Sequence, residues 1–140
     1  MSAPKLMKPD LYDTTGTPRH PQLPSLKGGA CLCGHVFFPM QPFGCEKCGR
    51  WGDELKPRAL SGAGRIVSLA TVHLHAGKGR QAPFTVAMIA LEDGPTIRSL
   101  LDVGSENEAR AGAQVVATLS STVPAEDGTP LLDLRFALQR

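Results

Sequence analysis

The sequence is poor in aromatic residues, in net charge and in long apolar segments, and each shortage excludes a class of protein. Aromatic residues make up 5% of the 140 positions, whereas glycine (15) and proline (12) are abundant, which favours short strands joined by turns. The formal net charge of +2 is too small for a strongly basic nucleic-acid-binding protein. The longest nearly apolar run, Phe84–Leu91, is far shorter than the roughly 20 residues that a membrane-spanning helix needs. We therefore expect a soluble protein with no membrane segment.

Cysteine is also scarce, and its four copies lie close together in the chain. The lysines near the N-terminus are not followed by an apolar stretch, so the pattern does not predict a signal peptide and favours a cytoplasmic protein. In a reducing compartment, clustered cysteines form a metal site more often than a disulfide framework.

The spacing of these cysteines is typical of two short metal-binding turns, the knuckles of a zinc ribbon. Cys31-Leu32-Cys33-Gly34 is followed, after eleven residues, by Cys45-Glu46-Lys47-Cys48-Gly49. Two turns that each offer two thiolates supply the four soft ligands of tetrahedral zinc, and the glycines allow tight turns. The sequence therefore predicts a structural zinc held by Cys31, Cys33, Cys45 and Cys48, since a closed four-thiolate site leaves no open position for catalysis.

The first turn departs from the usual pattern, because it is Cys-x-Cys instead of Cys-x-x-Cys. Ala30 occupies the place of the normal first ligand, and His35 is a substitute candidate. Two alternatives remain open at this point: free or buried cysteines without a metal, and a redox pair of Cys45 and Cys48.

Composition divides the chain into three zones: an extended, proline-rich arm over 1–27, a zinc ribbon over 28–56 and a strand-rich domain over 57–140. Leu23 and Leu26 are candidates for anchoring the arm, and a disordered tail over the first dozen residues is the alternative reading. A segment as short as the ribbon depends on a metal for its stability.

Five short strands and one helical turn account for the last zone. The predicted strands are Arg65–His73, Phe84–Leu91, Thr96–Leu101, Gln114–Leu119 and Leu131–Ala137, with a helical turn over Ser105–Ala111. The turn Glu92-Asp93-Gly94-Pro95 joins the second strand to the third. The predicted fold class is mainly β, with a small rubredoxin-like zinc ribbon followed by a five-stranded OB-fold barrel, because a β-sandwich needs about seven strands.

The sequence offers no recognisable catalytic constellation. It has no Gly-x-Ser-x-Gly elbow, and its carboxylates lie mostly in turns, so we name no catalytic residue and expect no independent enzyme activity. His73 and His75 are two residues apart, so they would share one face of a strand that continued through both, and the basic, glycine-containing segment Gly77-Lys78-Gly79-Arg80 follows. Such a loop suits either a phosphate or a solvated turn.

These motifs, in this order, resemble a known family. The four-cysteine ribbon encloses Phe37-Phe38-Pro39, and the barrel begins with Gly64-Arg65-Ile66-Val67 and contains Leu91-Glu92-Asp93-Gly94-Pro95. Over roughly residues 23–137 the chain is similar to the zinc-ribbon plus OB-fold family associated with acyl-CoA enzymes, a family defined as a domain of unknown function. By position, Cys33, Cys45 and Cys48 match its metal ligands, and Cys31 is displaced by one residue.

The resemblance implies an accessory role. Members are small subunits of thiolases, thiolase-like aldolases or acyl-CoA hydratases in degradation and acylation pathways, and the large partner carries the catalytic residues. We thus expect a hetero-oligomer in which this chain stabilises the catalytic partner and helps to hold a CoA ester, with Lys78 and Arg80 as candidate contacts to a CoA phosphate. The four aromatic residues of the ribbon, Phe37, Phe38, Phe43 and Trp51, would then divide between its core and a partner surface.

Two other functions remain as alternatives. OB barrels bind single-stranded nucleic acid by stacking bases on aromatic residues, but residues 61–140 hold only Phe84 and Phe136 and carry eight acidic against seven basic side chains. A nucleic-acid-binding module is therefore the weaker hypothesis. A free-standing CoA-binding protein differs from the accessory subunit only in its lack of a partner.

Overall fold

The computed structural model describes residues 3–72, 84–103, 108–122 and 124–139, and they form ten β-strands and one short 3₁₀ turn. The strands of the N-terminal half are β1 (Lys5–Leu6), β2 (Tyr12–Asp13), β3 (Ser25–Cys31), β4 (Val36–Phe37) and β5 (Leu55–Leu60), and the 3₁₀ turn spans Gly52–Glu54. The strands of the C-terminal half are β6 (Ala63–Val72), β7 (Phe84–Leu91), β8 (Thr96–Leu101), β9 (Gln114–Thr122) and β10 (Leu131–Leu138). No helix in these four ranges has the length and apolar content to cross a membrane.

Five of the strands close into a barrel. The pairing runs β10-β8-β7-β6-β9, and β9 pairs in turn with β10, which completes the ring. Among the strand pairs described in this ring, only β10–β8 is parallel, with Phe136 opposite Leu101. This confirms the predicted mainly β class with a five-stranded OB-like barrel.

The side chains of alternate strand residues fill the interior of the barrel. In β7, Thr85, Ala87, Ile89 and Leu91 are buried while the residues between them are more exposed, as expected for a strand with one face on a core. In β6 the expected alternation is interrupted, because the register with β7 shifts between Ile66 and Ser68. This β-bulge leaves Val67 exposed and lets Leu69 take the position opposite Ala87.

The sheet of the N-terminal half, here called the first sheet, is built around β3. Its long partner is β5, with Leu26 opposite Leu60 and Cys31 opposite Leu55, while β2 and β4 pair with it over two residues each. This sheet contains the ribbon. It is joined to the barrel directly, since β5 and β6 are separated by only two residues.

The N-terminal arm is docked on the rest of the chain along much of its length. Strand β1 pairs in parallel with β10, and β2 pairs with β3. Glu92, in the turn after β7, lies 2.9 Å from the His20 ring nitrogen and 3.5 Å from Arg19 Nε. Of the two predicted anchors, Leu26 is fully buried and Leu23 is partly buried.

Two apolar clusters stabilise the molecule. The larger one fills the barrel and includes Tyr12, Leu26 and Leu60 from the first sheet together with barrel residues such as Val115 and Phe136. The smaller one lies under the cysteines and consists of Cys31, Phe37, Cys45 and Leu55, with Met40 packed against them. Strand β3 contributes to both clusters, so the ribbon and the barrel are physically continuous.

Candidate metal centre and its surroundings

The four cysteines converge at one end of the first sheet. Cys31 is the last residue of β3, Cys33 follows in a tight turn, and Cys45 and Cys48 lie in a second turn before the 3₁₀ segment. All four sulfur atoms lie within 4.8 Å of one another. The Sγ atoms of Cys31 and Cys48 are 3.5 Å apart, and those of Cys33 and Cys45 are 3.7 Å apart.

Both turns have the geometry that the glycines allow. The amide of Gly34 donates to the carbonyl of Cys31 at 2.9 Å, and the amide of Gly49 donates to the carbonyl of Cys45 at 2.9 Å. Gly34 has φ 98° and Gly49 has φ 83°, values in the left-handed region that favours glycine. The Cys-x-Cys spacing of the first turn therefore does not prevent Cys31 from reaching the other three sulfurs.

Donors surround the sulfur atoms. The amide of Cys33 donates to Cys31 Sγ at 3.5 Å and that of Lys47 to Cys45 Sγ at 3.4 Å. The guanidinium of Arg50 lies 3.5 Å from Cys48 Sγ and also contacts Glu54, 3.1 Å from its Nε. These contacts stabilise negative charge on sulfur, which is what a metal-binding thiolate requires.

The thiols differ in acidity because their neighbours differ. Hydrogen bonding from Arg50, from its backbone amide first, lowers the pKa of Cys48 to about 6, against the opposing effect of burial. For Cys31, a backbone hydrogen bond from Cys33 lowers the pKa, but burial and the neighbouring thiols outweigh it and raise the value to about 12. Burial raises the pKa of Cys45, yet hydrogen bonds from the amides of Cys48 and Lys47 leave it lowered. One cluster thus mixes acidic and weakly acidic thiols, as expected when several anions would share a small volume.

The arrangement fits a tetrahedral metal ion. Four thiolates about 2.3 Å from one ion at tetrahedral angles have sulfur atoms roughly 3.8 Å apart. The Cys31–Cys48 and Cys33–Cys45 sulfur separations of 3.5 and 3.7 Å, and the 4.8 Å limit for the set, are close to that geometry. The four cysteines can therefore hold a metal ion, and a site closed by four protein ligands is of the structural kind.

Among the described residues, His35, the substitute ligand considered from the sequence, does not join this cluster. The ring of His35 stacks on that of Phe37, with centroids 6.1 Å apart, and the candidate ligands found among the described residues are the four cysteines alone. His73, His75, Lys78 and Arg80 lie outside the described residues, as do the first residues of the predicted helical turn, 105–107.

A second feature was not predicted from the sequence. A groove of about 660 Å³ lies between the arm and ribbon on one side and the barrel on the other. Leu11 and Phe38 form part of the first wall, Val86 and Leu100 part of the second, and Lys8 and Arg98 add positive charge. No motif could have indicated it, because it exists only where the two sheets meet.

Several known proteins are similar to this chain. The family model described as ChsH2, C-terminal OB-fold domain, matches residues 57–120. A DUF35 domain-containing scaffold protein of Methanothermobacter thermautotrophicus is 39% identical over 92 residues, which cover 64% of this chain and 68% of that protein. A protein of the same description from Pyrococcus furiosus is 29% identical over 113 residues, covering 79% of this chain and 81% of the relative.

One solved structure is similar to most of the chain. It is described as an Ltp2-ChsH2(DUF35) aldolase, with a TM-score of 0.61 and 21% sequence identity, and the match covers 79% of this chain and 84% of that one. At this identity the likeness establishes the fold alone.

Proposed function

Because the chain belongs to the DUF35 family of scaffold proteins, we propose that it is a non-catalytic accessory subunit of an acyl-CoA-processing complex. The observation that carries the proposal is the similarity to the DUF35 domain-containing scaffold protein of Methanothermobacter thermautotrophicus. The two sequences are 39% identical over a stretch that covers 68% of that relative. A scaffold stabilises its partner by presenting a surface of fixed shape. In this chain the apolar core shared by the first sheet and the barrel holds the surface residues in fixed positions.

The proposed partner is a thiolase-like enzyme, in the broad sense that includes thiolases, aldolases of that fold and acyl-CoA hydratases. The structurally similar ChsH2 domain is part of an aldolase with Ltp2, and we extend that kind of assembly to this chain as a proposal. The partner would carry the reacting groups. The test is affinity purification from the native cell, with mass spectrometry of stoichiometric partners. A thiolase-like or hydratase-like chain is expected, and elution of the protein alone or with nucleic acid would contradict the proposal.

We further propose that Cys31, Cys33, Cys45 and Cys48 hold a zinc ion. Zinc bound by four thiolates supplies folding free energy to a small segment and no reaction. The residues of the chain contribute the four sulfurs and the surrounding donors, and the proposed cytoplasmic location keeps the thiols reduced.

The zinc proposal is tested by metal content. Cys33→Ser should lower zinc well below one ion per chain, because three thiolates and a weakly coordinating hydroxyl replace the full set. His35→Ala is the matched control and should keep its zinc, since the ring stacks on Phe37 away from the candidate ligand set. Full zinc content in Cys33→Ser, or loss of zinc in His35→Ala, would show that the ligand set is different.

Participation in holding the CoA ester is the finer part of the proposal. Lys78 and Arg80 are its candidate phosphate contacts, and the groove with Lys8 and Arg98 supplies apolar walls beside positive charge. Charge reversal at Lys78 and Arg80 together should raise the KM of the complex for its CoA ester, because phosphate contacts are charge-assisted. An unchanged KM would remove these two residues from the proposal.

A further inference from the structure

The ribbon exposes two aromatic side chains next to the cysteine cluster. Phe43 is 87% exposed and Trp51 is 73% exposed, whereas the other ribbon ring pair, Phe37 and Phe38, is buried or partly buried. We call Phe43 and Trp51 the aromatic tip. Side chains of this size gain about 1.5–3 kcal/mol from full burial, so leaving two of them in water is costly unless something covers them.

Backbone hydrogen bonds join the two segments that carry the aromatic tip. The amide of Gly52 donates to the carbonyl of Pro42 at 2.9 Å, and the amide of Cys45 donates to the carbonyl of Arg50 at 2.7 Å. Phe43 and Trp51 therefore lie on adjoining segments between these two hydrogen bonds. The path of the backbone therefore places these two residues near each other.

A glutamine side chain also fixes the segment that carries Phe43. Gln41 Oε1 accepts hydrogen bonds from the amides of Phe43 at 2.6 Å and Gly44 at 3.1 Å, and Gln41 Nε2 donates to the Gly44 carbonyl at 2.7 Å. Three hydrogen bonds from one side chain restrict the conformations of this exposed loop. Preorganisation of this kind lowers the entropy cost of binding and is typical of residues that anchor an interface.

The charges around the aromatic tip select the kind of partner. Between residues 41 and 54 the chain has three acidic side chains, Glu46, Asp53 and Glu54, and two basic ones, Lys47 and Arg50. Arg50 is already occupied by Glu54 and Cys48. The remaining net charge is negative, which opposes nucleic-acid phosphates and anionic membranes and also opposes a second copy of the same surface.

We propose that the aromatic tip is the anchor by which this chain docks on its catalytic partner, a folded protein with an apolar pocket bordered by neutral or basic residues. The identity of that partner rests on the proposed function. Two aromatic side chains bury about 150–250 Å² each, so they form the centre of an interface of ordinary size, about 800 Å² per partner, and not the whole of it.

The dissociation constant between this chain and the co-purified acyl-CoA enzyme subunit tests the inference. Phe43→Ala and Trp51→Ala should each raise it about 30-fold, as loss of an anchor residue does, and the double variant by 100-fold or more. Val67→Ala is the matched control, since Val67 is also exposed, at 54%, but lies on the barrel, and its dissociation constant should change less than twofold. Zinc content and far-UV circular dichroism should be unchanged in all variants.

The outcomes separate this inference from the proposed function. If the enzyme co-purifies but the double variant binds as tightly as the original chain, the aromatic tip is not the anchor and the accessory role stands. If no acyl-CoA enzyme co-purifies, the accessory role fails and the inference fails with it. A photoreactive benzoylphenylalanine at position 43 should crosslink to the enzyme, whereas one at position 67 should not. Capture at position 43 of nucleic acid, lipid or a second copy of the chain would overturn the inference.

Discussion

At the scale of single residues, Tyr12 joins the arm to both sheets. Its ring is buried in the main core, and its hydroxyl donates to the carboxylate of Asp133 at 2.9 Å and accepts from the amide of Lys8 at 3.1 Å. Burial, followed by the hydrogen bond to Asp133, raises the pKa of Tyr12 to about 12. The Tyr12 side chain thus adds a second attachment of the proline-rich arm to strand β10, beside the pairing of β1 with β10.

The titration of Tyr12 is directly measurable because it is the only tyrosine in the chain. Ultraviolet difference spectra should show ionisation near pH 12 and not near the ordinary value of 10.0. Since the folded-state pKa is the higher one, the stabilisation is complete below pH 10 and is lost as the pH rises through 12. Asp133→Asn should lower the midpoint but keep it above 10, because burial remains. A midpoint at the ordinary value in the original chain would mean that the phenol is not buried.

At the residue level, the sequence was informative where the chemistry is local. The four cysteines were identified by spacing, and the displaced Cys31 still reaches the cluster because the turn at Gly34 is tight. Tyr12 was not identified, since nothing within the arm indicates that it would meet Asp133, a residue 121 positions away. The assignment of the cysteines as metal ligands stays a prediction until metal content is measured.

At the scale of elements, β3 is the strand on which the first sheet depends. Leu26 near its beginning packs in the main core, and Cys31 at its end belongs to the small core under the cysteines. Between them, Gly28 and Gly29 allow close approach of neighbouring groups. A Cβ atom at Gly28 would lie 2.6 Å from the Phe37 carbonyl oxygen and 2.5 Å from Leu60 Cδ1.

Gly28→Ala should therefore destabilise the fold. A methyl group at a position bordered by backbone forces β3 and its neighbours apart, at a cost of about 1–3 kcal/mol in the free energy of unfolding. Gly44→Ala is the matched control, because a Cβ atom there meets no heavy atom within 4 Å. Its effect should stay within about 0.5 kcal/mol. Urea denaturation of the two variants measures both values, and equal stability would contradict the close packing around Gly28.

The barrel strands were predictable because their signal is periodic and local. The expected strands Phe84–Leu91 and Thr96–Leu101 coincide with β7 and β8, and the other three agree within a few residues. The strands of the first sheet were harder to predict from the sequence. Strand β3 contains two glycines, β5 contains a proline, and neither strand shows a clear alternation of apolar and polar residues. The division of the chain at residues 27 and 56 stays a prediction, although β5, which continues to Leu60, pairs with β3.

At the scale of the whole molecule, the first sheet and the barrel share one core. Tyr12, Leu26 and Leu60 belong to the first sheet but pack inside the cluster that fills the barrel. The first sheet, which carries the cysteines, therefore cannot unfold completely without exposing apolar surface of the barrel core. A metal ion bound by the cysteines would stabilise residues far from its own ligands.

This continuity predicts a single cooperative unfolding transition for the metal-loaded chain. With cobalt(II) in place of zinc, the visible absorption reports on the cysteine cluster, while far-UV circular dichroism reports mainly on the barrel strands, and the two denaturation curves should coincide. Removal of the metal should lower the melting temperature by about 10 °C or more, because three large side chains lose burial worth about 1.5–3 kcal/mol each, and each kcal/mol shifts Tm by about 2–4 °C. Loss of cobalt absorption well before the circular dichroism changes would instead mean that the ribbon unfolds independently, and the scaffold would then consist of two separately stable parts.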